Sequence, residues 1–126
     1  LLLAELMNHP ECIETYQSNS YEKLLSSTIL KYIATSYQEG SLSTLSKQLH
    51  QPDYKICKII KRQTGQTFKQ LIQEERLKAT CQLLKTTQMA VTDIMVEVGY
   101  ENVTYFYKIF KDKYHMTPHD YRQQFI

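Results

Sequence analysis

Two lysines recur in this 126-residue chain at a spacing of 50 positions, and their chemistry suits contact with anions. Lys58 is repeated as Lys108, and Lys61 is repeated as Lys111. A lysine ammonium donates hydrogen bonds and accepts none, so it suits phosphate oxygens and the acceptor atoms O6 and N7 of guanine. Two copies of one arrangement predict that the protein contacts two similar surfaces.

Each pair of lysines belongs to a repeated pair of helices. Each copy opens with three apolar residues at helical spacing, which are Leu42, Leu45 and Leu49 in the first copy and Val91, Ile94 and Val98 in the second. These residues are offset by 49 positions, so the one-residue difference falls in the turn, where a change of length is best tolerated. The pattern is typical of a helix-turn-helix, and two such units match successive turns of the DNA major groove.

The composition favours helices over sheets. The chain has three Gly and three Pro, which break helices, and no alternating strand pattern of useful length. We therefore predict an all-α fold of about seven helices, placed at 21–38, 42–49, 53–63, 67–86, 91–98 and 102–113, with a last helix that begins at Thr117.

The helix predicted at 67–86 is the only element long enough to join the two copies. At about 1.5 Å per residue it is about 28 Å long, and it opens with a capping box formed by Thr67 and Gln70. We therefore predict two helix-turn-helix lobes joined by a long linker helix. The predicted DNA-binding domain covers 20–126, with lobe one at 20–66, the linker helix at 67–86 and lobe two at 87–126.

The opening segment, 1–19, is interpreted as a linker or the end of a preceding sensor or dimerisation domain. Residues 1–7 read as the end of a longer helix, broken at His9-Pro10. Residues 10–20 read as a linker whose Ser18, Asn19 and Ser20 form a turn. The alternative for this segment is a tail that caps the first helix.

Positive charge follows the repeated part of the chain. Residues 1–40 carry two Lys and five Glu, a net charge of 2 − 5 = −3, whereas residues 41–126 carry 13 basic and 8 acidic residues, a net charge of 13 − 8 = +5. A basic region is the usual electrostatic footprint of a nucleic-acid-binding domain. A moderate positive charge also serves solubility alone, so charge by itself leaves both interpretations open.

Membrane, disulfide and zinc chemistry are not indicated. No apolar run reaches the roughly 20 residues needed to span a bilayer, and the N-terminus lacks a secretory signal. The three cysteines are scattered and form no C-x-x-C pair. We therefore expect a cytoplasmic protein without membrane contact, cofactor or metal.

A long motif in the second half resembles a known family. It comprises Arg76-Leu77, Leu83-Leu84, Val91 to Gly99-Tyr100, Tyr105-Phe106, Phe110-Lys111, Met116-Thr117-Pro118 and Tyr121-Arg122. These residues are similar to the DNA-binding signature of the AraC/XylS transcription regulators, and Lys61-x-x-x-Gly65-x-x-Phe68 is similar to that family's first helix-turn-helix. The resemblance covers about 22–125. It implies the C-terminal DNA-binding domain of a transcription activator, with double-stranded DNA and RNA polymerase as partners and possible dimerisation through an N-terminal part.

The chain departs from the family's pattern at a few packing and turn positions. Met95 stands where a small residue is usual, Thr80 replaces Ala in the linker helix, Ile60 replaces Phe, and His115 takes the place of Gly. None of these changes removes a DNA-facing group, so they bear on local stability.

The resemblance also implies which side chains read base edges. In each lobe the second helix would lie in the major groove, with three apolar residues turned inward in each case. The predicted base contacts are Tyr54, Cys57 and Lys58 in lobe one and Thr104, Tyr105 and Lys108 in lobe two. Tyr54 and Tyr105 have core packing as an alternative role, and Cys57 is a poor hydrogen-bonding group.

Five cations are predicted to contact phosphates, which positions a protein on DNA without reading sequence. They are Lys55, Lys61, Arg62, Lys111 and Arg122. Two recognition helices one helical turn apart, roughly 34 Å, predict a non-palindromic site of about 15–20 base pairs.

Two other classes of protein remain as alternatives. A helical protein-interaction module would use Asp53 and Glu101, the acidic residues near the predicted groove, although negative charge also stabilises a helix N-terminus. An enzyme is not expected, because no catalytic motif is present. Cys12, the candidate for a DNA-repair nucleophile, has no activating neighbours in the sequence.

Overall fold

The computed structural model describes the backbone of residues 10–126 and the side chains from residue 20 onward. The described residues form seven α-helices and no strand. The helices are α1 (Pro10–Ser36), α2 (Leu42–Leu49), α3 (Asp53–Thr64), α4 (Phe68–Thr86), α5 (Val91–Val98), α6 (Val103–Tyr114) and α7 (Pro118–Gln123). The all-α prediction is confirmed, and α2 to α7 lie within one or two residues of their predicted positions.

The first helix differs from its prediction. It runs from Pro10 to Ser36, so the turn predicted at Ser18 to Ser20 is wrong, while the interpretation of 1–19 as a linker or the end of a preceding domain stays a prediction. Proline is tolerated in the first turn of a helix because its missing N–H would have no partner there. Ser18, Asn19 and Ser20 continue the helix instead of turning. The helix end predicted for residues 1–7 lies outside the described residues.

Gly40 does not end α1 in the left-handed conformation that a glycine cap would adopt, since the glycines with positive φ in the described chain are Gly65 and Gly99. A Cβ on Gly40 would instead lie 2.5 Å from the carbonyl oxygen of Ser36. The glycine therefore permits the close return of the chain over the end of α1.

The predicted capping box is present, and several other helix ends are also capped. Thr67 and Gln70 form the reciprocal capping box that opens α4, and the Asn102 side chain accepts a hydrogen bond from the Tyr105 amide at 2.8 Å. Gly65 ends α3 with φ +76°. His115 ends α6 in the left-handed region, with φ +62°, where glycine costs less.

Each lobe has its own hydrophobic core. The core of lobe one is built from α1, α2, α3 and the start of α4, and its buried members are Leu25, Ile29, Ile33, Leu45, Ile56, Ile59, Ile60 and Ile72. The core of lobe two is built from the rest of α4 with α5 to α7 and holds Leu77, Cys81, Leu84, Ile94, Met95, Val98, Tyr100, Phe106, Ile109 and Phe110. Helix α4 thus contributes to both cores, which confirms it as the linker helix.

The departures from the family's pattern are accommodated by packing. Met95 is buried in the core of lobe two, with 4% of its surface exposed. Thr80 is completely buried, and its hydroxyl donates a hydrogen bond to the Arg76 carbonyl at 2.8 Å. That bond satisfies a polar group that would otherwise be costly to bury.

Candidate nucleic-acid interface

Helix α3 presents the three predicted base-reading side chains of lobe one on its exposed face. Tyr54 is 74% exposed, and Cys57 and Lys58 are also exposed. The opposite face of α3 is buried in the core through Ile56, Ile59 and Ile60, as predicted. Since Tyr54 is exposed, core packing does not account for it, and this face is open to a partner.

Helix α6 repeats this arrangement in lobe two. Thr104 and Lys108 are exposed, and the inward positions Phe106, Ile109 and Phe110 are buried. Tyr105 is 39% exposed, and its ring meets the Tyr100 ring edge-on, with 6.1 Å between centroids. Tyr105 therefore combines packing in its own lobe with a surface that a partner can reach.

The cations of lobe one hold contacts within the lobe. Lys55 Nζ lies 5.5 Å from the centre of the Tyr21 ring, and Lys61 Nζ donates to the Gly65 carbonyl at 3.0 Å. Arg62 Nη1 lies 2.6 Å from Glu22 Oε2. These groups are accessible, since both Lys61 and Arg62 are exposed, but a phosphate must compete with the contacts they already make.

The two cations predicted to contact phosphates in lobe two lie in different surroundings. Lys111 is exposed on α6. Arg122 Nε donates to the Leu84 carbonyl at the end of α4, at 3.2 Å, and Arg122 Nη2 is buried without a partner among the described residues. The phosphate contact predicted for Arg122 would share the guanidinium with this hydrogen bond, which satisfies a helix-terminal carbonyl.

Sequence reasoning gave no role to Tyr21 and Glu22, which reach α3 from α1. The Tyr21 ring lies beside Lys55, and the Tyr21 hydroxyl accepts a hydrogen bond from Gln51 Nε2 at 2.8 Å. The Glu22 carboxylate pairs with Arg62. The charges of Glu22 and Arg62 are complementary, but the residues lie 40 positions apart in sequence. No local pattern could pair them.

Burial raises the pKa of two tyrosines of lobe two. Desolvation raises the pKa of Tyr100 to about 12, against an opposing effect of the Arg76 charge. Desolvation also raises the pKa of Tyr114, with a further contribution from Cys81. Since a tyrosine with the ordinary pKa of 10.0 is already neutral at pH 7, burial extends the neutral range of both phenols to more alkaline pH.

Among residues 10–126, no helix is both long enough and apolar enough to cross a membrane. Among the side chains that the structure describes, from residue 20 onward, no group of three or more His, Cys, Asp and Glu is arranged to bind a metal ion.

Comparison with known proteins gives relatives among transcription regulators. The chain is 33% identical over 89 residues to the HTH-type transcriptional activator RhaR of Mannheimia succiniciproducens, covering 71% of this chain and 32% of RhaR. It is 33% identical over 96 residues to the bifunctional transcriptional activator/DNA repair enzyme AdaA of Bacillus subtilis, covering 75% of this chain and 46% of AdaA. The chain thus spans less than half the length of each of these relatives.

A solved structure agrees with these relatives. The C-terminal domain of the two-component response regulator yesN from Fusobacterium nucleatum superposes with a TM-score of 0.70 at 32% identity, over 76% of this chain and 95% of that domain. Residues 45–124 match the family of helix-turn-helix domains, a span that begins in α2 and ends after α7. The chain therefore belongs to the AraC-type helix-turn-helix family of DNA-binding transcriptional regulators.

Proposed function

We propose that this protein binds double-stranded DNA sequence-specifically by placing α3 and α6 in successive major grooves. The observation that supports the proposal is the matched pair of exposed faces on these helices. Each carries a lysine at the same position, Lys58 and Lys108, and each is backed by three buried apolar residues. Two rigid helices with equivalent faces suit a ligand that repeats its groove along one axis.

The side chains on the two faces differ, so the two half-sites differ. Lys58 and Lys108 donate to guanine O6 or N7. Tyr54 contacts a thymine methyl group, and Thr104 is suited either to a hydrogen bond with a base edge or to a methyl contact. Cys57 adds little hydrogen bonding, and Tyr105 adds a contact at the edge of the groove. The site is non-palindromic and about 15–20 base pairs long, as a separation of roughly 34 Å requires.

Phosphate contacts supply most of the affinity in this proposal. Lys55, Lys61, Arg62 and Lys111 lie on or beside the two recognition helices and carry the charge needed. Arg122 is predicted to join them, although its Nε already donates to the Leu84 carbonyl. If about five phosphates are neutralised, the slope of log K against log salt is about −4 to −5.

The wider role follows from the relatives' names and is part of the same proposal. As a transcription activator, the protein acts in the cytoplasm and contacts RNA polymerase. It dimerises, if at all, through a part outside residues 20–126. It carries out no catalysis of its own, although AdaA joins activation and DNA repair in one protein.

The test is a fluorescence-anisotropy titration with random-sequence duplexes at several salt concentrations, followed by sequencing of the bound DNA. We expect salt-sensitive binding and an enriched asymmetric motif with two half-sites one turn apart. Lys58→Met and Lys108→Met should each relax one half-site, and Lys113→Met, which removes an exposed lysine outside the predicted contacts, is the matched control. A slope near zero, or no binding at low salt, would instead favour a protein-interaction module.

A further inference from the structure

Arg76, in the middle of α4, contacts both lobes at once. Its Nε donates to the Tyr37 carbonyl at 2.8 Å, and its Nη2 donates to the Gln38 carbonyl at 3.3 Å. Both carbonyls belong to the segment between α1 and α2 in lobe one. The same guanidinium lies over the Tyr100 ring of lobe two, with 5.0 Å between the central carbon and the ring centre.

The turn of the second helix-turn-helix lies directly against this junction. A Cβ on Gly99 would lie 2.4 Å from the Gln38 carbonyl oxygen and 3.0 Å from Arg76 Nε. The backbone of lobe two thus approaches the backbone of lobe one as closely as a glycine allows. Tyr37 packs against both hydrophobic cores.

The chemistry of these contacts requires arginine. A guanidinium is a planar fork that reaches two carbonyls and stacks on an aromatic ring at the same time, whereas a lysine ammonium is a point charge that cannot do both. Burial of Tyr100, which is 7% exposed, removes water from one side of the stack. Cation–π contacts strengthen when they are desolvated.

We propose that Arg76 is a positioning residue that fixes the separation and orientation of α3 and α6, and so sets the spacing between half-sites that the protein accepts. The part of the proposal that concerns DNA rests on the proposed function. Arg76 itself is not proposed to touch a base. It acts by keeping the two recognition helices in one rigid unit, so that a half-site displaced by an inserted base pair cannot be reached.

The first experiment tests the junction without DNA. Spin labels are attached at Cys57 on α3 and at a cysteine introduced by Lys108→Cys on α6, with Cys12→Ser to remove a third label, while Cys81 is buried. Pulsed electron–electron resonance then measures the distance between the two helices. We expect one narrow distribution for otherwise unchanged protein and a distribution at least about twice as wide for Arg76→Met, because the lobes lose their shared contact.

Two variants make the comparison specific. Lys78→Met removes a cation from the same helix, but the ion pair that Lys78 makes, with Glu75 at 3.4 Å, lies within α4. The distance distribution of this variant should therefore stay narrow. Arg76→Lys keeps the charge but loses the guanidinium fork. Its distance distribution should broaden as that of Arg76→Met does. If Arg76→Met fails to fold by circular dichroism, Arg76→Lys takes its place.

The second experiment uses unlabelled protein and the duplex selected above, with two base pairs inserted between the half-sites. Two linked sites gain their affinity from a high effective concentration, on the order of 100-fold or more, which is lost when the geometry forbids simultaneous contact. We expect the insertion to weaken binding of the unchanged protein about 100-fold and that of Arg76→Met less than about 10-fold. The unchanged protein and Arg76→Met should bind an isolated half-site with affinities within about twofold of each other.

Each outcome bears on one claim. If the unchanged protein and Arg76→Met give equally narrow distance distributions, Arg76 does not set the orientation of the recognition helices. The same conclusion follows if the distribution of the unchanged protein is itself broad. If the distances broaden while the spacing preference is unchanged, the inference about DNA spacing is overturned. If no duplex binds the unchanged protein, the proposed function fails, and the distance measurement still decides the role of Arg76.

Discussion

Lobe one and lobe two share one architecture but stabilise it with different side chains. The buried residues in the core of lobe one are all Leu or Ile. The core of lobe two holds Tyr100, Phe106 and Phe110, and Tyr114 and Tyr121 pack against it. Aromatic pairs run through lobe two, including Phe110 with Tyr114, 4.7 Å apart between centroids. The same helix pair therefore tolerates two kinds of core while keeping its exposed face.

The lobes also differ in the contacts that their cations make. In lobe one, residues Tyr21 and Glu22 of α1 hold Lys55 and Arg62. In lobe two, Lys108 and Lys111 are exposed and make no hydrogen bond or ion pair with the residues described. The repeated lysines thus keep their positions in both lobes, while α1 supplies partners for two neighbouring cations of lobe one, Lys55 and Arg62.

The largest expected effect is on the stability of the two cores. Phe110 and Ile60 are equivalent positions, 50 residues apart, and both are almost fully buried. Phe110→Ala should lower the free energy of unfolding by about 3–5 kcal/mol, and Ile60→Ala by about 2–4 kcal/mol, since the larger side chain leaves the larger cavity. Urea denaturation measures both. A greater loss for Ile60→Ala would contradict the view that lobe two relies more on a few large side chains.

The next effect concerns base reading by the paired lysines. Lys58→Met and Lys108→Met should each weaken binding to the selected duplex by about 1–3 kcal/mol, because each removes a base contact. Each should relax preference in only one half-site, and titration against duplexes substituted one base at a time measures this. Loss of affinity with equal preference at every base would mean that the lysine contacts phosphate instead.

Alkaline pH should act mainly through lobe two. The pKa of Tyr100 is raised to about 12 in the folded protein, from an ordinary value of 10.0, and burial also raises the pKa of Tyr114. A raised folded pKa gives stability that is fully present below pH 10 and is lost as the pH rises towards 12, because the unfolded state releases its proton first. In thermal melts between pH 9 and 12, the melting temperature of Tyr100→Phe should fall less steeply with pH than that of the unchanged protein. Identical slopes would show that Tyr100 is not protected by burial.

The smallest effect concerns the ion pair of Arg62 with Glu22, which distinguishes lobe one. Glu22→Gln should release Arg62 and strengthen DNA binding by less than about 1 kcal/mol, since a partly exposed pair is worth little. The slope of log K against log salt should steepen by about 0.9 if Arg62 then meets a phosphate. The control is Glu97→Gln, which removes an exposed carboxylate from α5. In an Arg62→Met background Glu22→Gln should have no effect, and a persistent gain there would reflect charge alone.

Local patterns predicted most of the fold because the signals are short in range. The capping residues Thr67, Asn102 and Thr117 each bond an amide three residues away, and the buried faces of α3 and α6 follow helical spacing. The prediction failed at α1, where Pro10 and a Ser-Asn-Ser run suggested a break. Intrinsic propensity is a weak signal there, since proline is accepted at a helix start and tertiary packing overrides local preference.

The sequence by itself determined the helices, their caps, the repeat and the exposed positions of the recognition helices, because these depend on neighbours within a few residues. The tertiary structure alone decided which partner each arginine takes. Arg62 meets Glu22, Arg76 meets the Tyr37 carbonyl and Arg122 meets the Leu84 carbonyl, across 40, 39 and 38 positions. An arginine side chain is flexible and accessible acceptors are numerous, so its partner follows from proximity in the folded chain and not from spacing along it.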